Sequence, residues 1–186
     1  MCLQDNISHS NPRLVKSQRA GNVDKTITQL TGELMKQKVG EVSAAATRIN
    51  HSIAHDERIH KIRIEDNGSM TLFGRDGCES HVDLSAGQMQ ILIMSLVSAL
   101  AEVTRYHAPF IIDTPLARLD AGHREGLFRH WSSLPQQVIL LSQDTEITSE
   151  VSRRLEAHTG RTYLVEAESL DSTGARSRVS PDVYFQ

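Results

Sequence analysis

Two aspartates lie seven residues apart in "PFIIDTPLARLD", and their settings differ. Asp113 ends an apolar run, so its carboxylate emerges at the carboxyl edge of a strand, where α/β proteins build ligand sites. A carboxylate in that position suits Mg²⁺, held largely through water beside nucleotide phosphates. Asp120 closes the "RLD" turn that follows, and a second apolar run, "VILLSQD", ends in Ser142, Gln143 and Asp144. Upstream, Ser85, Ala86, Gly87 and Gln88 run directly into the apolar stretch "MQILIMSLVSALAEV". A helix starting there presents unpaired N–H groups and partial positive charge, and the small residues let a phosphate approach the backbone. Ser85 adds a hydroxyl, Gly87 a close amide, and Gln88 a side chain able to orient water or ligand. Taken singly, Asp113 reads as a turn residue and Ser85 as an ordinary N-cap. Taken in this order, the four groups describe a nucleotide-binding sheet edge.

The elements that must position these residues follow from periodicity. After a polar N-terminus (1–11), residues 12–58 form a helical stem. In it Ile27, Leu30, Leu34, Val39, Val42, Ala46, Ile49 and Ile53 recur at helical spacing, with Gly32 and Gly40 as points where one helix could become two. The thin apolar stripe fits a packed surface helix or the end of a coiled coil. "KIRIEDNGSMTLFGRDG" alternates apolar and polar residues about an Asn67-Gly68 turn and predicts a β-hairpin. The order then becomes helix (87–104, apolar on nearly every side), strand (109–113), helix (121–131), strand (137–142), helix (145–158) and strand (162–166). That alternation predicts an α/β fold with a mostly parallel sheet across 59–168. The tail, 169–186, is polar, and Tyr184 and Phe185 could tuck back onto the core.

Composition narrows the function classes. The 186 residues are 39% hydrophobic, enough for one core. A formal charge of -3 and 4% aromatic residues offer no basic field and no stacking platform, so contact with nucleic acid is expected to be local or indirect. Cys2 and Cys78 match no metal or disulfide spacing, which fits a reducing cytoplasm. No leader-like segment opens the chain, and the run Ile91–Val103, broken by serines, is short for a bilayer span, so no membrane association is expected.

The motifs together resemble the C-terminal half of an ATP-binding-cassette head of the SMC type. "LSAGQ" (Leu84–Gln88) resembles the signature motif, "FIIDTP" the Walker B strand, "LARLD" the D-loop and "ILLSQD" the switch strand. "LSAGQMQI", "IDTPLARLD" and "VILLSQDTEI" are similar to the DndD family, the SMC-like ATPases of bacterial DNA phosphorothioation systems. The resemblance implies that two heads sandwich ATP. Ser85, Ala86, Gly87 and Gln88 would then meet the γ-phosphate held by the other head, with Asp113 serving Mg²⁺ in cis and Asp120 crossing the dimer interface. The implied partners are an N-terminal P-loop half or a full-length copy, DNA-modification proteins and, through them, DNA.

Departures from the pattern shape the expectations. No G-x-x-x-x-G-K-[ST] occurs in the sequence, so the phosphate cradle must come from elsewhere, and the chain reads as one half of a head that binds ATP poorly alone. Thr114 stands where most cassette ATPases carry a catalytic glutamate, and its hydroxyl is no general base at neutral pH. The DndD family shares this threonine. Gln143 occupies the switch-histidine position and can hydrogen-bond a phosphate or water, while Gln88 replaces an acidic residue. Other readings carry less. His51 and His55 are one turn apart but lack a third ligand. Asp113, Asp120, Asp144 and Glu146 could form a nuclease centre, which would leave the signature turn without a role. An SMC-like double-strand-break repair ATPase and a non-catalytic interaction module complete the alternatives.

Overall fold

The computed structural model describes residues 12–54, 58–81, 83–105, 107–143, 145–170 and 174–182. Its first element, α1 (Pro12–Ile53), is one continuous 42-residue helix, about 63 Å long at 1.5 Å per residue. The break allowed for at Gly32 or Gly40 does not occur: neither glycine is crowded by other parts of the molecule, and an isolated glycine weakens a helix by only about 1 kcal/mol. From residue 21 to 38 the helix is exposed throughout, whereas Val42, Ala45, Ala46, Ile49 and Ile53 are buried.

The β-hairpin forms as expected, with β1 (Lys61–Ile64) antiparallel to β2 (Met70–Phe73) and Ile62 opposite Leu72. Gly68, at φ 82°, supplies the left-handed turn position, and Asn67 Oδ1 accepts from the Ser69 amide at 2.9 Å. The open edge of β1 is closed by side chains of α1. Thr47 Oγ1 accepts from the Ile62 amide and Ser43 Oγ from the Ile64 amide, each at 2.9 Å. Two hydroxyls one helical turn apart thus satisfy backbone donors that would otherwise lack partners.

Next comes α2 (Ala86–Thr104), whose main packing partner is α1. It buries Ile91, Leu92, Ser95, Ser98 and Ala99, while Met89, Ile93, Val97 and Leu100 form an exposed stripe at helical spacing. Apolar on nearly every side and expected to pack against the parallel sheet, the helix instead packs one face, mainly on α1, and leaves the other bare. The helix is long and apolar enough to cross a bilayer by length and composition, beyond what the run Ile91–Val103 suggested.

Strands β3 (Phe110–Asp113) and β4 (Val138–Leu141) pair in parallel, with Asp113 opposite Leu141 and α3 (Ala121–Ser132) between them in sequence. Their alternation is plain in the burial: Phe110, Ile112, Val138 and Leu140 join the core, whereas Ile111, Ile139 and Leu141 are exposed. Helix α4 (Ser149–Leu155), capped by Thr148 and ending in a 3₁₀ turn at Glu156–His158, is shorter than the expected span of 145–158. The expectation of a third parallel strand is also corrected. Residues 162–166 belong to β5 (Tyr163–Leu170), which pairs antiparallel with β6 (Gly174–Pro181) as a separate ribbon that takes in part of the supposed tail. The reason is local: the two strands are close in sequence, and the rungs Glu166–Arg178 and Glu168–Arg176 match opposite charges. Residues 1–11, His55, Asp144, Tyr184 and Phe185 lie outside the described residues.

Candidate functional site

Asp113 stands where β3 ends, its side chain exposed beside the end of β4. The chain turns sharply there. Thr114 has φ 44°, a left-handed conformation unfavourable for a β-branched residue, and its amide donates to Leu141 O at 2.8 Å. Backbone strain is thus concentrated directly after the candidate Mg²⁺ ligand. Gln143, exposed, follows β4 on the same edge, so Asp113, Thr114 and Gln143 are neighbours at the carboxyl ends of the two strands.

A residue that entered the sequence reading only as a nuclease candidate ties this edge together. Glu146 is 3% exposed; its Oε1 accepts from the Leu116 amide at 3.0 Å and its Oε2 from the Gln143 amide at 3.2 Å. One carboxylate therefore clamps the loop after β3 to the loop after β4. The signal for this was an acidic residue between the strand-ending "SQD" and the capped α4, at a position where no partner is visible in one dimension. Among the described residues no cluster of three His, Cys, Asp or Glu side chains could hold a metal, and Glu146 is occupied by backbone amides, so the nuclease arrangement does not form there.

Ser85 caps α2 in a full capping box. Its Oγ accepts from the Gln88 amide at 3.3 Å, and Gln88 Oε1 accepts from the Ser85 amide at 2.9 Å. Gln88 is thus folded back on the turn, while Ser85 and Ala86 are exposed. Gly87 has a packing reason of its own: a Cβ there would fall 2.6 Å from the Arg118 carbonyl oxygen. With Gln90 Nε2 donating to Pro115 O, the start of α2 is pressed against the loop 115–119. The signature-like turn and the D-loop-like segment are therefore in contact.

Asp120 N-caps α3. Its Oδ1 accepts from the His123 amide at 2.9 Å, and its Oδ2 lies 2.7 Å from His123 Nδ1. The amide hydrogen bond, and after it the imidazole, hold the Asp120 carboxyl below the usual carboxylate range, while the little burial it has opposes this. His123 was not singled out from the sequence, although a histidine three residues after an N-cap aspartate is well placed to pair with it. Further along α3, His130 Nε2 lies 2.9 Å from Ser98 Oγ of α2. Burial, reinforced by nearby Arg48 and partly offset by Glu102, lowers its pKa. Among the described residues His51 belongs to no group that could hold a metal; its Nε2 lies 3.1 Å from Ile59 O.

These elements define a fold: α/β, with a long N-terminal helix, similar to that of SMC head domains. A chain from work on ATP-driven dimerization and DNA stimulated activation of SMC ATPases matches with a TM-score of 0.53 and 13% identity, over 82% of this chain and 89% of that one. The Smc head domain with a coiled coil and joint from Pyrococcus yayanosii gives 0.53 and 12%, over 89% of this chain and 32% of that one. The Pyrococcus furiosus Smc head with an extended coiled coil, bound to the C-terminal domain of ScpA, gives 0.52 and 13%, over 90% and 42%. The chain thus spans less than half the length of the two Pyrococcus chains. No protein-family model matches the sequence, and no curated protein matches it.

Proposed function

We propose that this chain is the C-terminal half of a DndD-like ATPase head, cytoplasmic, with 12–58 as stem and 59–168 as the catalytic lobe. The observation that supports it best is the contact between motifs: Gly87 pressed on the Arg118 carbonyl, and Glu146 clamping Leu116 to Gln143, in a fold shared with SMC heads. The bare stripe on α2 and the outer face of β3 and β4 are surfaces that a complementary half would cover.

The residues fit Mg²⁺ as a single exposed carboxylate, Asp113, which is what this ion needs when it keeps most of its waters and phosphates supply the rest. They fit ATP in part. The turn Ser85–Gly87 offers a helix N-terminus to a γ-phosphate, but the cradle for the other phosphates is absent from the sequence. ATP bound by a P-loop half would supply the negative charge that joins two heads. This chain's part is then to present Ser85, Ala86 and Gly87 in trans, Asp113 to the metal in cis, Asp120 across the interface, and Thr114 and Gln143 to the attacking water's surroundings.

The test is to mix this chain with the P-loop half of a DndD-like head and follow association by size-exclusion chromatography. ATP with Mg²⁺ should produce a complex, and Ser85→Arg, which blocks the phosphate approach, should abolish it. No association with a correctly folded P-loop half would refute the reading. Sulfur-transfer genes beside this one would favour DNA modification as the setting, and a nuclease gene would favour strand-break repair.

A further inference from the structure

The residue that holds the Asp120 carboxylate also lines a pocket with the end of the stem. His123, with 18% of its side chain exposed against 67% for Asp120, orients both carboxylate oxygens, one through its amide and one through Nδ1. The same residue lines a small pocket with Asn50 near the end of α1, Ala54 just after it, Ile59, and Gln88 and Ile91 of α2. Asn50 is 1% exposed, and its Oδ1 is buried without a hydrogen-bond partner among the described residues. A buried acceptor left in that state is destabilising, so it needs an explanation beyond packing. One turn beyond His123, Gly126 lies flush on α1, where a Cβ would fall 2.5 Å from Ile53 O. Helix α3 is therefore seated directly on the last turn of α1. Packed interfaces of this kind shift between discrete arrangements rather than deform smoothly.

We infer that His123 is a positioning residue through which the end of α1 sets the orientation of the Asp120 carboxylate, so that stem and head interface are coupled through α3. The meaning of Asp120 as an interface residue rests on the proposed function; the coupling between α1 and Asp120 does not. A displacement of the Asn50–Ala54 wall moves the imidazole, and the imidazole carries the carboxylate with it. Gln88 lines the same pocket, which places the signature-like turn within reach of the same movement.

The experiment is a carbon-13 NMR titration of the Asp120 carboxyl in the full chain. Ala54→Leu, which thrusts bulk into the pocket, should raise the Asp120 midpoint part of the way toward the ordinary carboxylate value, as should His123→Phe, which removes the imidazole but keeps the amide hydrogen bond. His123→Asn, whose shorter amide can still donate to Asp120, should keep the midpoint low and make it insensitive to Ala54→Leu. That loss of coupling is what a merely structural histidine would not produce. Should Ala54→Leu fail to fold, Asn50→Leu, of similar volume, perturbs the same wall. An unmoved Asp120 midpoint in the folded wall variants, or an equal effect of the wall in wild-type and His123→Asn backgrounds, overturns the inference. In the ATP-dependent association assay the wall variants should weaken complex formation by about fivefold with His123 present and not with His123→Asn. A wild-type chain that fails to associate refutes the head assignment, while the titration still decides the coupling.

Discussion

The two halves of α1 share one helical period and have opposite fates. In the first, Val23, Ile27, Leu30, Leu34 and Met35 are 50–58% exposed; in the second, Val42, Ala45, Ala46, Ile49 and Ile53 are 0–7% exposed. The difference lies in what surrounds the stripe. The second half adds Ser43 and Thr47 for the edge of β1, Arg48 for Glu102 of α2, and backbone exposed closely enough for Gly126 to dock. Among the described residues the first half adds partners within the helix, such as Thr26 and Thr31 bonded back to carbonyls four residues earlier. Periodicity therefore states that a face is apolar, and the polar residues beside the face state whether this chain covers it.

Substitution should separate the halves sharply. Ile53→Ala is expected to destabilise the chain by about 2–4 kcal/mol in urea denaturation, through lost burial and the cavity left behind. Ile27→Ala should stay within about 0.5 kcal/mol, since it is exposed. Equal effects would mean that the first half packs on something in solution.

A smaller effect is expected where α1 closes the hairpin. Thr47→Val keeps the shape and removes the acceptor for the Ile62 amide, and should cost about 1–3 kcal/mol. Hydrogen exchange at Ile62 would accelerate with it, while exchange at Leu34 would not change.

The pH response should also belong to the buried half, through His130, which joins α3 to α2 beside Arg48. Its folded pKa lies below its ordinary value, so the unfolded chain takes up the proton first. Stability is then full above the ordinary histidine value and falls as pH drops below about 6.5, levelling off beneath the folded pKa. His130→Asn should flatten the denaturation midpoint over that window, against a wild type that declines.

The smallest effect concerns the Arg48–Glu102 pair, whose contacts are 2.6 and 2.7 Å but whose side chains are 62% and 54% exposed. Arg48→Met should cost about 0.2–1 kcal/mol, and the loss should shrink in high salt.

Much of this was legible in one dimension because it depends on neighbours in sequence. The hairpin follows from Asn67-Gly68, the start of α2 from Ser85 with Gln88, and the strand ending in Asp113 from four apolar residues before it. What escaped depends on distant contacts. Glu146 looks like a surface acid until Leu116 is folded beside it, and Gly87 looks like a phosphate-approach glycine until the Arg118 carbonyl arrives. His123 and Asn50, 73 positions apart in the chain, line one pocket. The apolar helix α2 misled because composition cannot distinguish a face covered by this chain from one left open.

Thr114 bears on how the candidate site is maintained. Of the three non-glycine residues with positive φ among those described, it alone is β-branched, and it follows directly on Asp113. Such a conformation is uphill by about 1–3 kcal/mol, and it is held by the Thr114 amide's bond to Leu141 O and by Glu146 on the Leu116 amide. The site edge is in this sense a tensioned joint: Thr114→Gly should raise thermal stability while loosening the aim of Asp113, so that firmness of the fold and sharpness of the site move in opposite directions at one residue.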